Sequence, residues 1–516
     1  MPFELIKEYI IVDQEVSSFD TQTSLEELVK IADYKPNIRN ILFVNGEVNV
    51  AKQSVEGNIL NIDGDLNYKI YYVAEGGYLE CTKSTVPYDY SVELQDLEGD
   101  IECCINTNLE HIDYRITNSR KVNIKSVMKI QGKIIKKSSI PMLKDVREME
   151  NVQKLNDKII ITKSSIKNNE KISIKNSIDI GELDETALKL IDISTNIIEL
   201  KSNKSPSGVL LSGKILLKGL YSIESEEKKD YKNIEEVVEF SQFIEKTGVD
   251  RIDNYFYVPS VKNMTYDFVT LEGENDIQLE IDLGINTDIT FYENIEFENI
   301  QDLYSPEVKT DIINEQIKTY FLAADFKENV NVTEDIVIPT EMPIEKVLLV
   351  QGDIVVSDIE TSQNNINLEG AIDLKMIYKL SSEVDVIEKF EKQIPFTYSV
   401  SSNKNSNELF DFNALVEEIR INQRGNSFNV EVETLLTGNL YNKISLNLVK
   451  EIIKVETDEK EETGEHYAIK AHYKQPGETL WDIAKENSTT IIKILNDNNI
   501  ENEENVKDYD PLVILK

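Results

Sequence analysis

The chain has 516 residues, 40% of them hydrophobic, with 94 acidic side chains against 55 lysines and arginines and a formal charge of −39. That length suits about three or four domains, and the apolar content supports real cores rather than wholesale disorder. The charge excludes the nucleic-acid classes, whose phosphates need basic side chains, and disfavours anionic membrane surfaces; a neutral glycan or a protein with a basic patch fits better, and the same charge keeps a strand-rich chain in solution.

The first residues, Met1-Pro2-Phe3-Glu4-Leu5-Ile6-Lys7, lack a basic region followed by an apolar core and a small-residue cleavage site, so no secretory signal is read there. No run approaches the roughly eighteen apolar residues of a transmembrane helix. Three cysteines, Cys81, Cys103 and Cys104, make no disulfide framework, which points to a reduced, cytosolic setting. Helical spacing is rare in the long N-terminal region; it occurs at Ser24–Ala32 and again at Asp311–Phe321.

From Ile41 onward the sequence repeats itself. Ile41 to Val48 aligns with Val347 to Ile354, and the same spacing pairs Ile62 with Leu368, Gly64 with Gly370, Leu66 with Ile372 and Tyr72 with Tyr378. Val86-Pro87-Tyr88 matches Ile394-Pro395-Phe396 with a small shift in register. A middle copy puts Ile191 and Ile193 on Leu42 and Val44, Leu211 on Ile62, Gly213 on Gly64 and Tyr221 on Tyr72. The expected units are 1–150, 151–320 with an insertion near 224–254, and 321–453.

Within each copy the pattern is strand. Leu60 to Tyr72 alternates apolar and polar residues with period two, and Gly64, Gly213 and Gly370 interrupt it at the same point, as at a bulge or tight bend. The fold class is therefore mainly β: three antiparallel β-sandwich or open-barrel units, followed by a small α+β module. Their exposed edge strands could pair between copies of the chain, giving self-association. Between them and the module lies an acidic linker, 454–465, with six acids against one lysine from Glu456 to Glu465; it reads as a solvated tether that lets the module swing.

Residues 466–516 read as strand, turn, helix, helix and strand, a βααβ module. Pro476-Gly477 makes the turn, while Thr479 and Thr490 stand where a helix needs a capping hydroxyl. Leu480, Ile483 and Ala484 share one helix face; Ile491, Ile494 and Leu495 share another. Trp481 is the single tryptophan, either a core staple or an aromatic anchor at a binding face. The Asn-rich run Asn496–Asn505 reads as a loop.

Catalytic patterns are missing. No phosphate-cradling glycine loop and no Gly-x-Ser-x-Gly elbow occurs, and the carboxylates are too many for spacing to nominate an acid/base pair. The three histidines, His111, His466 and His472, lack the Cys-x-x-Cys spacing of a metal site; His111 is placed on a strand neighbouring Cys103 and Cys104. No enzyme activity, cofactor or metal is expected.

The Gly477-Glu478-Thr479-Leu480-Trp481 run, Thr490 and Asn498-Asn499-Ile500 resemble the LysM domain, a βααβ module known for binding N-acetylglucosamine polymers such as peptidoglycan. The resemblance implies a ligand groove lined by Pro476, Gly477, Glu478, Thr479, Leu480 and Trp481 on one side and Asn498, Asn499 and Ile500 on the other. The Pro-Gly-Gln usual before the last strand is Tyr509-Asp510-Pro511 here, which weakens the sugar-binding case. The Pro36 to Leu42 start, the strand–Gly–strand–Tyr72 core and the Pro87-Tyr88 and Pro395-Phe396 motifs resemble the SPOCS domain of clostridial and bacillar sporulation proteins. Repeated SPOCS domains followed by LysM are similar to the spore-coat morphogenetic proteins of clostridia. That resemblance implies a non-enzymatic scaffold at the forespore surface, in the mother-cell cytoplasm and spore coat. Its LysM would bind the ATPase of the coat's basement layer (SpoIVA), and its repeats other coat proteins. The alternative it leaves is a peptidoglycan or cortex binder.

Overall fold

A computed structural model describes residues 3–515 apart from 96–98, 100, 184–186, 225–228, 271–275, 362–364, 383–384, 402–407 and 456–468. The acidic run Glu456–Glu465 and His466 therefore lie outside the described residues.

Eighteen strands fall into three units of six. The first holds β1 (Glu4–Lys30), β2 (Ile38–Glu56), β3 (Ile59–Ala74), β4 (Leu79–Glu93), β5 (Ile101–Asn118) and β6 (Lys121–Arg147). The second holds β7 (Gln153–Glu182), β8 (Leu188–Ser205), β9 (Gly208–Glu224), β10 (Lys229–Glu245), β11 (Asn254–Thr270) and β12 (Asp276–Tyr304). The third holds β13 (Thr310–Val337), β14 (Ile344–Thr361), β15 (Asn365–Leu380), β16 (Val386–Ser401), β17 (Glu408–Arg424) and β18 (Ser427–Lys454). Each unit is two three-stranded antiparallel sheets: β2-β3-β4 over β1-β6-β5, with β8-β9-β10 over β7-β12-β11 and β14-β15-β16 over β13-β18-β17 as its counterparts. Alternation sends Leu60, Ile62 and Leu66 inward onto Ile124, Met128 and Ile130 of the facing sheet, so each unit is a sandwich with its own core. Tyr72, Tyr221 and Tyr378 are buried at the same place in all three.

The three glycines have a shared cause. Gly64 pairs across the ladder with Tyr88, Gly213 with Phe240 and Gly370 with Phe396, and the aromatic ring lies over the missing side chain. The neighbouring edge strand bulges opposite each one, at Val50/Lys52, Ile198/Lys201 and Val356/Asp358. The bulge expected from the sequence sits on the partner strand rather than on the glycine strand.

Several expectations are corrected. Ser24–Ala32 is not helical: it runs out of β1, whose Phe19, Thr21, Thr23 and Leu25 turn inward with period two while the strand pairs with β6. Asp311–Phe321 is likewise strand, within β13 against β18, so the third unit starts at Thr310 rather than at 321. In both stretches a ladder with a distant partner outweighs a local helical spacing. The stretch 224–254 carries β10, the counterpart of β4 and β16, instead of an added element.

The outer hairpins are unusually long, from 27 to 30 residues per strand. One half of each covers its own sandwich; the other half runs on and meets the two remaining hairpins. Every hairpin touches both others, so three pairs (β1/β6, β7/β12, β13/β18) close into a triangular stalk. Val12, Ile140 and Met142 of the first pack there with Ile159 and Ile161 of the second and Ile317, Leu446 and Leu448 of the third. Val146, Leu303 and Ile452 repeat the pattern further along.

At the other end, equivalent residues of the short sheets meet: Leu42, Ile191 and Leu348, then Tyr71, Leu220 and Ile377. Three equivalent lysines reach from unit to unit in one sense. Lys69 Nζ donates to Asp192 Oδ1 at 2.8 Å, Lys218 Nζ to the Ile419 carbonyl at 3.2 Å, and Lys375 Nζ to Asn45 Oδ1 at 2.7 Å. Asp192 is fully buried and also accepts from the Tyr71 hydroxyl at 2.7 Å.

After the linker come β19 (Ile469–Tyr473), α1 (Leu480–Glu486), α2 (Ile491–Asp497) and β20 (Pro511–Leu515), the expected βααβ module. Thr479 caps α1 in a capping box with Asp482, and Thr490 caps α2 by accepting from the Lys493 N–H.

Two stability tests follow from this packing. A Cβ on Gly64 would collide with the Asn49 carbonyl oxygen and on Gly370 would come within 2.5 Å of that of Val355, whereas on Gly213 it meets only side chains, the nearest a Phe240 ring atom at 2.8 Å. Gly64→Ala and Gly370→Ala are each expected to cost about 1–3 kcal/mol in chemical denaturation, and Gly213→Ala less than either. Asp192→Ala is expected to cost about 3 kcal/mol, because it strands Lys69 and Tyr71. Adding Lys69→Met should restore part of that loss; an unchanged denaturation midpoint in the single variant would remove Asp192 from the junction.

Candidate functional site

The two loops of the terminal module carry the predicted site. Pro476 and Gly477 form an exposed turn, with Gly477 at φ +84°. Glu478 folds back from that turn: its carboxylate lies 2.9 and 3.0 Å from His472 Nε2 and accepts from the Gln475 N–H at 2.8 Å. Burial pushes the Glu478 pKa up, but the His472 and Gln475 hydrogen bonds outweigh it and hold the carboxyl below its ordinary range. Thr479 is exposed but occupied, since its hydroxyl donates to Asp482 Oδ2 and accepts from the Asp482 N–H.

On the second side, Asn498 behaves as frame. Its side chain exchanges both hydrogen bonds with Val513, donating to the carbonyl and accepting from the N–H at 2.7 Å each, so it imitates a strand residue beside β20. Ile500 is half-buried on the module core. Asn499 takes the left-handed region at φ +54° and is exposed.

The segment before β20 is tied to the first loop. Lys474 N–H donates to the Asp510 carbonyl at 3.2 Å, Tyr509 N–H donates to the Lys474 carbonyl at 2.7 Å, and the Lys474 ammonium pairs with Asp508. Tyr509, at φ +70°, is left 66% exposed, and Tyr473 is exposed beside Pro511 on the open face of the two-stranded sheet. The sequence flagged Tyr509 as a departure but not as a displayed aromatic.

Leu480 and Trp481 are buried instead of lining an open groove. Trp481 packs edge-on against Tyr304 at the end of β12, ring centroids 4.9 Å apart, and its Nε1 donates to Asp302 Oδ2 at 2.8 Å. Lys485 Nζ lies 2.7 Å from both oxygens of the same carboxylate. The Tyr304 hydroxyl donates to the Thr489 carbonyl at 2.9 Å; burial, and then Asp302, push its pKa up to about 12. The module is thus seated on the stalk of the second unit rather than held by its linker alone. Asp302 and Tyr304 carry no local signal of this, because their partners lie far along the chain.

Elsewhere, His111 shares β5 with Cys103 and Cys104 instead of standing on a neighbouring strand, about 25 Å away at the rise of a strand, and pairs with Asp113 at 3.0 Å. Burial pushes the Cys81 thiol up to about 12. A surface cavity of about 410 Å³ between the first two stalk hairpins has Ile10, Met142, Ile295 and Phe297 on its walls and both lysines and glutamates at its rim.

Comparison with protein families matches the domain described as SipL, SPOCS domain three times, at residues 37–117, 186–269 and 343–423, and the LysM domain at 475–507. Each SPOCS match covers the four inner strands of one unit, β2–β5, β8–β11 and β14–β17, and leaves the stalk hairpins outside. No curated protein and no solved structure matches the chain. These domains are of binding and scaffold kinds, and they make this a sporulation-related protein with a domain of the peptidoglycan-binding type. The chain belongs to the SipL-type family, with three SPOCS domains followed by a LysM domain.

Proposed function

We propose that the protein is a non-enzymatic scaffold of the spore coat, working in the mother-cell cytoplasm at the forespore surface. Its LysM module binds the ATPase of the coat's basement layer (SpoIVA), and the three SPOCS units bind further coat proteins or other copies of the chain. The observation that carries the protein-binding half of this reading is the tie between the first loop and the segment before β20. Lys474, Asp508, Tyr509 and Asp510 form it, and Tyr473 and Tyr509 stand exposed beside it. Aromatic anchors of this kind are typical of protein interfaces. On this reading the contact residues are Pro476, Gly477, Asn499 and Tyr509. Glu478, Thr479, Asn498 and Ile500 hold the loops in shape, and Leu480 and Trp481 hold the module to the stalk.

The second reading, a binder of peptidoglycan or another N-acetylglucosamine polymer, draws on the intact Gly477-Glu478-Thr479-Leu480-Trp481 run. The full chain, titrated separately against the purified ATPase and against peptidoglycan, distinguishes the two. Saturable binding to the ATPase, weakened about tenfold by Tyr509→Ala and by Asn499→Ala, is the expected result. Binding to peptidoglycan alone would replace the scaffold reading by the glycan one.

The seat gives a separate prediction. Asp302→Ala removes the acceptor of both Trp481 Nε1 and Lys485 Nζ. It should free the module from the stalk, seen as a larger radius of gyration in solution scattering and a red-shifted Trp481 emission, with the SPOCS units still folded. Unchanged scattering and emission would mean that the apolar contact with Tyr304 holds the module by itself.

A further inference from the structure

Across the described residues, one cluster joins chemically different ligand groups from three successive segments of the terminal module. His472 on β19, Glu478 in the first loop and Glu486 at the end of α1 place one ligand atom each within 4.8 Å of one another. The imidazole is already aimed: Nε2 lies 2.9 and 3.0 Å from the two Glu478 oxygens. Donor atoms bound to one first-row cation at about 2.0–2.2 Å, with angles of about 90–110°, stand roughly 3–3.5 Å apart. The His472–Glu478 pair therefore needs little movement to share an ion, which would take the place of the proton in their hydrogen bond and release it to solvent. Glu486 is exposed and loosely paired with Lys470, and it is the arm that would close.

The surroundings are compatible with a cation. His472 and Glu478 are largely buried side chains, at 14% and 18% exposure, so the site has two buried walls and one exposed one. The competing cation is Lys470, whose Nζ is 4.0 Å from Glu486 but is bonded to Asn487 Oδ1 at 2.6 Å. A bound ion would take Glu486 from that loose pairing and replace the hydrogen bond between His472 and Glu478.

We propose that His472, Glu478 and Glu486 form a divalent-metal site of the borderline class, with Zn²⁺ as its best-suited ion. The donor set decides the class: one imidazole nitrogen selects against Mg²⁺ and Ca²⁺, which take oxygen ligands, and two carboxylates without thiolate select against Cu(I). Three protein ligands leave one tetrahedral position for water. The ion would pin β19, the first loop and α1, three successive pieces of the chain, to one another through their side chains. It would fix the Pro476-Gly477 turn from beneath. The site stands independently of what the module binds.

The test uses the full chain, stripped with chelator, and Co²⁺ and Zn²⁺ as probes. Titration with Co²⁺ should show visible bands of a low-symmetry site saturating at one ion per chain, bleached when Zn²⁺ is added. His472→Ala and Glu486→Gln should each weaken binding by about a hundredfold, while His111→Ala and the pair Cys103→Ser/Cys104→Ser leave it unchanged. Glu486 is exposed, so Glu486→Gln keeps the module folded, and emission from the single tryptophan, Trp481, checks this in every variant. Equal binding by wild type and Glu486→Gln, or no saturable Co²⁺ band, would overturn the proposal and leave His472 and Glu478 as an ion pair only.

Discussion

Burial between three long hairpins is the constraint on which the rest of the molecule depends. A SPOCS unit builds most of its sandwich core itself, although Leu435 of the third unit joins the core of the second, and its hairpin runs on past that core. In isolation it would leave Val12, Ile140 and Met142, or their counterparts, against water. Each hairpin can hide that stripe only against two others, and the chain supplies those two itself. The arrangement resembles a trimer written into one polypeptide, in which linkage replaces the entropy cost of gathering three separate chains. The short sheets meet at the far end under the same rule, through Leu42, Ile191 and Leu348.

The symmetry is broken where it matters for order. The position held by Phe43 in the first unit and Leu349 in the third is Asp192 in the second, buried and matched by Lys69 and Tyr71 of the first. Gln351 of the third unit completes the group, donating to the Tyr71 hydroxyl at 2.9 Å. Apolar contacts alone would allow the units to pack in either sense around the axis. A buried carboxylate bonded to Lys69 and Tyr71 of the first unit, with Gln351 of the third at 3.4 Å, favours the sense that puts Tyr71 beside it, because the equivalent positions of Tyr71 are Leu220 and Ile377.

Much of this was legible residue by residue. Gly64, Gly213 and Gly370 announced a common irregularity, and Tyr72, Tyr221 and Tyr378 a common core, because period-two alternation is a local pattern that burial preserves. The caps at Thr479 and Thr490 were legible for the same reason, since a cap is settled within three residues. Ser24–Ala32 and Asp311–Phe321 misled because strand pairing with β6 and β18, roughly a hundred residues or more away, is invisible to a local window. The Asp302–Trp481 hydrogen bond spans 179 residues, and so the seat of the module was not legible at all.

That seat changes how the terminal module can recognise anything. A module free on a tether would offer its whole surface, Trp481 included. Once Trp481 and Lys485 are committed to Asp302 and Tyr304, recognition falls to the loops. Of the loop residues, Glu478 and Asn498 are bound into the frame by two or more hydrogen bonds each, so their geometry is fixed before a partner arrives. A surface ordered in advance loses less entropy on binding than one ordered by it. The stalk also fixes the direction in which the module faces relative to the three SPOCS units. For a scaffold this is the useful property, because partners held on a rigid body are held at defined positions relative to one another, which a swinging tether cannot provide.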